Sequence, residues 1–205
     1  YGPRVKPGLL ALPSLSLVFS APSDAIAAIE YDEQACSMVI LWPARQKAIQ
    51  EDCVLSRIGG SYSYFENKGF SLAFSKRYGN GKLNAPLFNG FDRGTLARTS
   101  FDRLHLRGGN HDWSRSFGMS DRFIQDSYLD MGSLNPHGRF VHVYLNGEYW
   151  GQYNLKEVLN EAFLADYLGG SEEDYVSVKG NDNGGGGPGG WVIGAGDPPN
   201  PEPWE

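Results

Sequence analysis

The sequence predicts an α+β fold: a mostly antiparallel twisted sheet with one packed helix, then a short helix and a disordered Gly/Pro-rich tail. Three observations carry that expectation. Residues 139–157 read RFVHVYLNGEYWGQYNLKE, two alternating runs around Asn146-Gly147, a dipeptide favoured in a type I′ hairpin turn because both central residues need positive φ. Runs of strand length and strand composition recur at 15–19, 37–42, 53–58, 69–76 and 101–107, whereas a helical period is sustained over 121–131. From residue 181 the text is NDNGGGGPGGWVIGAGDPPNPEPWE, with too little apolar surface to offset the entropy of ordering it.

Residues 1–13, rich in Pro and Gly, read as a linker. Leu15, Leu17 and Phe19 then alternate with more polar neighbours, the mark of a half-buried strand, and Pro22 ends it. Ser23 is a candidate cap for about one helical turn at 24–30. The apolar run SMVILW at 37–42 stops at Pro43, and CVLSRI at 53–58 runs into Gly59-Gly60, with a polar loop expected between them. After SYSYFENK, Phe70, Leu72 and Phe74 alternate with Ser71, Ala73 and Ser75, and Lys68 stands at the entrance of that strand. Residues 77–100 hold turn signals without a period, so a long loop is expected, anchored by Leu83, Leu87, Phe88 and Phe91. Leu104 and Leu106 face inward on a strand ended by Gly108-Gly109-Asn110.

The helix at 121–131 has Ser120 as its expected N-cap and Asp121 in its first turn. Phe123, Ile124, Tyr128 and Met131 form its apolar face, and Gly132 is the stop. In the hairpin, Val141, Val143 and Leu145 share one face and Phe140, His142 and Tyr144 the other, while Tyr149, Trp150 and Tyr153 lie on the second strand. Both faces are apolar or aromatic, so the hairpin belongs inside a sheet. Asn160 caps a short helix, EAFLADYLG, and residues 175–179 are the last strand candidate.

At 205 residues the chain can hold one large domain or a small domain with an appendage, and the expected division is 1–13, 14–180 and 181–205. A net charge of -6 argues against nucleic acid as the main partner, because phosphate contacts draw on clustered Lys and Arg. Pro7, Pro13 and Pro22 interrupt the one N-terminal stretch that approaches a membrane span. Cys36 and Cys53 sit at strand edges. A cross-strand disulfide and a pair of buried free thiols both remain open for them.

Few constellations bear chemistry. Asn110, His111 and Asp112 follow two glycines and read as turn residues bonded to local backbone. His105 and His142 lack a third ligand at zinc spacing. Arg57, Arg107 and Arg122 could converge on an anion or make ordinary ion pairs. The run Glu172, Glu173, Asp174 reads as a solvated loop. No G-x-S-x-G elbow occurs, which disfavours a hydrolase. The glycine turn with Ser61 and Ser63 is followed directly by a strand entered at Lys68, which on its own reads equally well as a solvated strand-edge lysine.

Five blocks in order, SRIGGSYSYFENKGFSLAF, RYGNGKLNAPLF, FDRLHLRGGNHDW, GRFVHVYLNGEYWGQYNLKE and FLADYLGGSEEDYVSVKG, resemble the spore coat protein H (CotH) kinase family, particularly its secreted bacterial members. The resemblance implies a protein-kinase-like small lobe that hands the chain from the hairpin to a hinge. It implies transfer of phosphate from ATP, with Mg²⁺ or Mn²⁺, to Ser residues of secreted or coat proteins. Gly59, Gly60, Ser61, Ser63 and Lys68 would then hold the nucleotide, with Glu157 near the adenine. Nucleotide and a Ser-containing protein are the implied ligands, and the location extracytoplasmic: secreted, cell surface or spore coat.

In that family the catalytic and metal-binding aspartates lie downstream of the hinge, in segments without a counterpart after Gly180. No catalytic or metal-ligating residue is therefore assigned in this chain. The expectation is a fragment inactive alone, completed by the continuation of its own chain or by neighbouring domains. The alternative is a non-catalytic surface or coat module binding protein or carbohydrate through Tyr62, Tyr64, Trp113 and Trp150.

Overall fold

The computed structural model describes residues 4–20, 33–43, 46–58, 68–90, 96–109, 118–180 and 191–195. The chain divides into two units, Tyr1–Glu157 and Val158–Glu205. In the first, a helix α1 (Val5–Ala11) occupies the stretch expected as a linker and precedes β1 (Ser14–Phe19), β2 (Gln34–Trp42), β3 (Lys47–Ile58) and β4 (Gly69–Ala73). Short β5 (Leu83–Asn84) pairs with β6 (Ser100–Phe101), and β7 (Arg103–Arg107), helix α2 (Ser120–Asp130), β8 (Gly138–Leu145) and β9 (Glu148–Glu157) follow.

Seven of these strands close into a barrel in the order β1-β2-β3-β4-β7-β9-β8. Closure corrects the α+β expectation of a mostly antiparallel sheet with one packed helix, and with it the kinase-like small lobe that the resemblance implied. The closing strand is β1, which pairs antiparallel with β2 and parallel with β8, Ser14 opposite His142 and Leu17 opposite Leu145. Nothing local in the sequence specifies a partner that far along the chain. Closing the ring satisfies both edges of the sheet at once.

The core follows from the alternation. Leu15 and Leu17 of β1, Met38 and Ile40 of β2, Leu55 of β3, Phe70 and Leu72 of β4, and Leu104 and Leu106 of β7 are buried, as are Val141, Val143 and Leu145 of β8 and Tyr153 and Leu155 of β9. The hairpin forms as expected, with Asn146 at φ 48 and Gly147 at φ 87. The polar stretch before Cys53, expected as a loop, is instead the first half of β3, paired residue for residue with β2. Leu83, Leu87 and Phe88 do anchor the long connection: Phe88 packs edge-on against Phe101 at 5.5 Å, and Arg139 Nη1 donates to the Leu87 carbonyl at 3.1 Å.

Helix α2 departs most from expectation. Its buried residues are Arg122 and Leu129, while Phe123, Ile124, Tyr128 and Met131 are exposed, Phe123 at 71%. Arg122 is its polar attachment: Nη2 donates to the Pro136 carbonyl at 3.0 Å, while Nε donates within the helix to Asp126 Oδ1 at 2.8 Å. Its N-cap is Met119, one residue before the expected Ser120, and makes no side-chain capping bond.

In the second unit, α3 (Glu161–Leu168) is capped as expected, Asn160 Oδ1 accepting from the Phe163 N–H at 3.0 Å. A single 3-10 turn, Glu172–Asp174, carries a capping box in which the Asp174 carboxylate accepts from Ser171 N–H and Oγ–H. Those bonds hold the Asp174 carboxyl below the usual carboxylate range. Strand β10 (Ser177–Gly180) pairs antiparallel with β11 (Trp191–Ala195), so the tail expected to be disordered contains a strand. Among the described residues no helix is long and apolar enough to cross a membrane.

Candidate functional site

Alternation along β9 sends Tyr153 and Leu155 into the barrel and Asn154 and Lys156 to its outer wall, where the first turn of α2 lies. Asp121 Oδ2 is the meeting point. It receives Lys156 Nζ at 3.3 Å, Asn154 Nδ2 at 3.3 Å and Arg107 Nε, from the neighbouring strand β7, at 3.5 Å. The Lys156 side chain is 16% exposed, and Arg107 is more open at 47%. Burial pulls the Lys156 ammonium below the usual lysine range, Asp121 pulls it back up, and Arg107 lowers it again. Two cations on one carboxylate leave this corner with one net positive charge.

Strand register extends the polar row. His105 of β7 is opposite Lys156 on one side and Ser71 of β4 on the other. Among the described residues, Ser71 Oγ and Asn154 Oδ1 are buried and find no hydrogen-bond partner, so the wall offers a hydroxyl and an amide oxygen that these residues do not use. Register pairs Arg107 with Asn154, and Phe70 with Leu106. Gly69 is therefore one step further towards Arg107, and Lys68 enters β4 at the end of the sheet where Arg107 and Asn154 sit.

Of the residues expected to hold a nucleotide, Gly59, Gly60, Ser61 and Ser63 lie outside the described residues, as do Asn110, His111, Asp112 and the helical turn at 24–30. Lys68 is half-buried. Glu157 is fully buried and its carboxylate is taken up within the protein: Oε1 accepts from Arg98 Nε at 3.2 Å, and Oε2 from the His137 N–H at 2.8 Å with His137 Nδ1 at 3.1 Å. That clasp joins the end of β9 to the loop before β8 and to the segment before β6.

The arginines do not converge. Arg107 is held by Asp121 and Arg122 by Asp126, while Arg57 is opposite Phe70 at the end of β3. His105 and His142 are likewise apart, opposite Lys156 and Gln152 respectively. His142 spends its nitrogens on Tyr149 Oη and the Gly8 carbonyl, both at 3.2 Å, tying α1 to the barrel. Of the aromatic contact face, Trp150 is half-buried against the core, and Tyr62, Tyr64 and Trp113 lie outside the described residues.

Sequence reasoning missed Asn154, Lys156 and Asp121 as one site. The period of two in YNLKE carried a signal for the first pair, since Tyr153 and Leu155 inward puts Asn154 and Lys156 outward together. Nothing local linked them to Asp121, more than thirty residues upstream.

Among the described residues no group of three or more His, Cys, Asp or Glu could hold a metal ion. No curated relative matches the chain. A family model described as CotH kinase protein matches residues 56–191, from the end of β3 through the hairpin and α3 to the start of β11. That span is well over half of the sequence and contains every member of the Asp121 cluster, and the chain therefore belongs to the CotH kinase protein family.

Proposed function

We propose that this chain binds the phosphates of ATP and serves ATP-dependent phosphoryl transfer to Ser hydroxyls of secreted or coat proteins, in an extracytoplasmic setting. The observation that carries the reading is the net positive corner made by Arg107, Lys156 and Asp121, at the sheet end entered by Lys68, inside the matched span. Phosphoryl transfer is largely positioning and charge neutralisation, so a cationic corner is the right material.

In this reading Arg107, the more exposed cation, meets the phosphates first. Asp121 holds the Arg107 guanidinium and the Lys156 ammonium at fixed spacing, so little side-chain entropy is lost on binding. Ser71 and Asn154 add neutral hydrogen-bonding groups, Gly59, Gly60, Ser61 and Ser63 supply backbone and hydroxyl donors, and Lys68 a third cation. Glu157 sets the end of β9 from which Asn154 and Lys156 project. ATP, when bound, supplies the transferable phosphoryl group. The described residues do not fit a site for Mg²⁺ or Mn²⁺, so no step here is routed through a metal.

Thermal denaturation with and without ATP tests the reading. Binding at a hundred times Kd stabilises by about 2.7 kcal/mol, and the melting temperature is expected to rise for the natural chain but not for Arg107→Ala or Lys68→Ala. No rise, or a rise that both variants keep, removes the nucleotide reading. A second reading, a non-catalytic interaction module, is favoured by the exposed Phe123, Ile124 and Met131 on α2. A rise with glycans or a coat protein, and none with ATP, selects it.

A further inference from the structure

Cys36 and Cys53 face each other across the β2–β3 ladder. They are direct register partners in an unbroken run of nine pairs, flanked by Ala35 opposite Val54 and Ser37 opposite Asp52. Both are free and buried, Cys53 fully and Cys36 at 4% exposure. Directly opposed residues of antiparallel strands have Cα atoms about 4.5–5.5 Å apart, within the roughly 4.4–6.8 Å that a disulfide spans. Strand pairing itself thus meets the Cα separation that a disulfide requires. The pair also has an approach: both cysteines line an open cavity of about 480 Å³, walled by Val18, Phe19, Asp52 and Tyr78.

We propose that Cys36 and Cys53 are a reversible dithiol–disulfide couple, a modification site that staples β2 to β3 by exchange with an external disulfide donor of the glutathione or dithiol-protein class. Cys36, which keeps some exposure, is the entry point. Its thiolate sulfur attacks one sulfur of the donor disulfide, forming a mixed disulfide and expelling the first donor thiolate. The Cys53 sulfur then attacks the Cys36 sulfur, forming the Cys36–Cys53 bond and expelling the second donor thiolate. The two cysteine protons end on the two donor thiols. The cysteines are oxidised by two electrons and the donor is reduced by two.

The resting state favours the reduced form kinetically. A hydrogen bond with Cys36, then burial, push the Cys53 thiol far above the usual thiol range, so Cys53 does not attack first. Asp52 and Glu51, on the same strand, add their negative charge in the same direction. The staple acts on the strand that leads into Gly59-Gly60.

The test equilibrates the whole chain with oxidised and reduced glutathione at several ratios, then traps free thiols by alkylation and maps peptides without reduction. The expected product is one intramolecular Cys36–Cys53 link per chain, reversed by dithiothreitol, with a melting temperature raised by about 5–10 °C. Two alkylated thiols at every ratio, a lasting glutathione adduct on the natural chain, or links between chains would each overturn the proposal. Cys53→Ala separates resolution from entry. That variant is expected to accumulate a stable glutathione adduct on Cys36, and failure to do so removes Cys36 as the entry point.

Discussion

Lys156 and Asp121 are joined across the outer wall of the barrel, Nζ to Oδ2 at 3.3 Å, and the same oxygen also receives Arg107 and Asn154. Removing the carboxylate leaves a largely buried ammonium without its anion. Asp121→Ala is expected to cost about 1–3 kcal/mol in urea unfolding, whereas Asp121→Asn keeps the shape and costs less. Equal effects of the two would show that charge is not what Asp121 contributes.

The depressed Lys156 pKa has a pH consequence. Its folded value lies below the unfolded 10.5, so between the two the unfolded chain binds more protons and stability rises with pH. The rise is complete above 10.5, and it is lost as pH falls through the folded value. Comparing the natural chain with Lys156→Met from pH 7 to 10.5 isolates it, because the variant is expected to lack this component.

Glu157 is a buried carboxyl with two partners, the half-buried Arg98 and the buried His137. Glu157→Ala should destabilise by about 3–5 kcal/mol, since breaking such a pair strands the remaining charge. A loss under 1 kcal/mol, read by thermal or urea denaturation, would mean that the clasp contributes little.

Helix α2 offers a paired test of its orientation. Phe123→Ser, at an exposed position, should change stability by no more than about 0.5 kcal/mol, against about 2–5 kcal/mol for Leu72→Ala in the barrel core. A packed helix would reverse the first figure, and unfolding curves of the two variants decide it.

Gly138 lies where Arg122 of α2 meets the barrel. A Cβ there would collide with Arg122 Nη1 and come to 2.9 Å of the Leu155 carbonyl and of Lys156 Cβ. Gly138→Ala is expected to cost about 1–3 kcal/mol. Gly90, which is at positive φ and has nothing within 4 Å of a built Cβ, is the strain-only comparison.

Period and turn chemistry made most strands legible. Leu15 and Leu17, Phe70 and Leu72, Leu104 and Leu106, and the Asn146-Gly147 turn all sit where alternation and positive φ place them. The first half of β3 was not legible. Gln50 and Asp52 face solvent and Glu51 is half-buried, on a strand whose stability comes from its ladder with β2, and such text reads like a loop. Helix α2 had the right period and the wrong meaning. Phe123 and Ile124 satisfy an amphipathic pattern, yet the buried anchor is Arg122, whose partners Asp126 and the Pro136 carbonyl make its burial tolerable. The site was half legible for the same reason as the barrel. Local alternation places Asn154 and Lys156 together, but only tertiary closure brings Asp121 and Arg107 to them.

The seal between β1 and β8 governs how this molecule is born. Phe19 N–H donates to Asn146 Oδ1 at 2.9 Å and Asn146 N–H to the Leu17 carbonyl at 2.8 Å, contacts between chain positions 127 and 129 residues apart. During synthesis β1 and β2 emerge long before their closing partner exists, and β1 waits with one bare edge until the hairpin is made. Loop closure over such a distance makes folding slow, and the waiting edge is a template for pairing with other chains. Slow refolding and loss of yield at high protein concentration are thus written into the same strand pairing that leaves the finished barrel without an open edge.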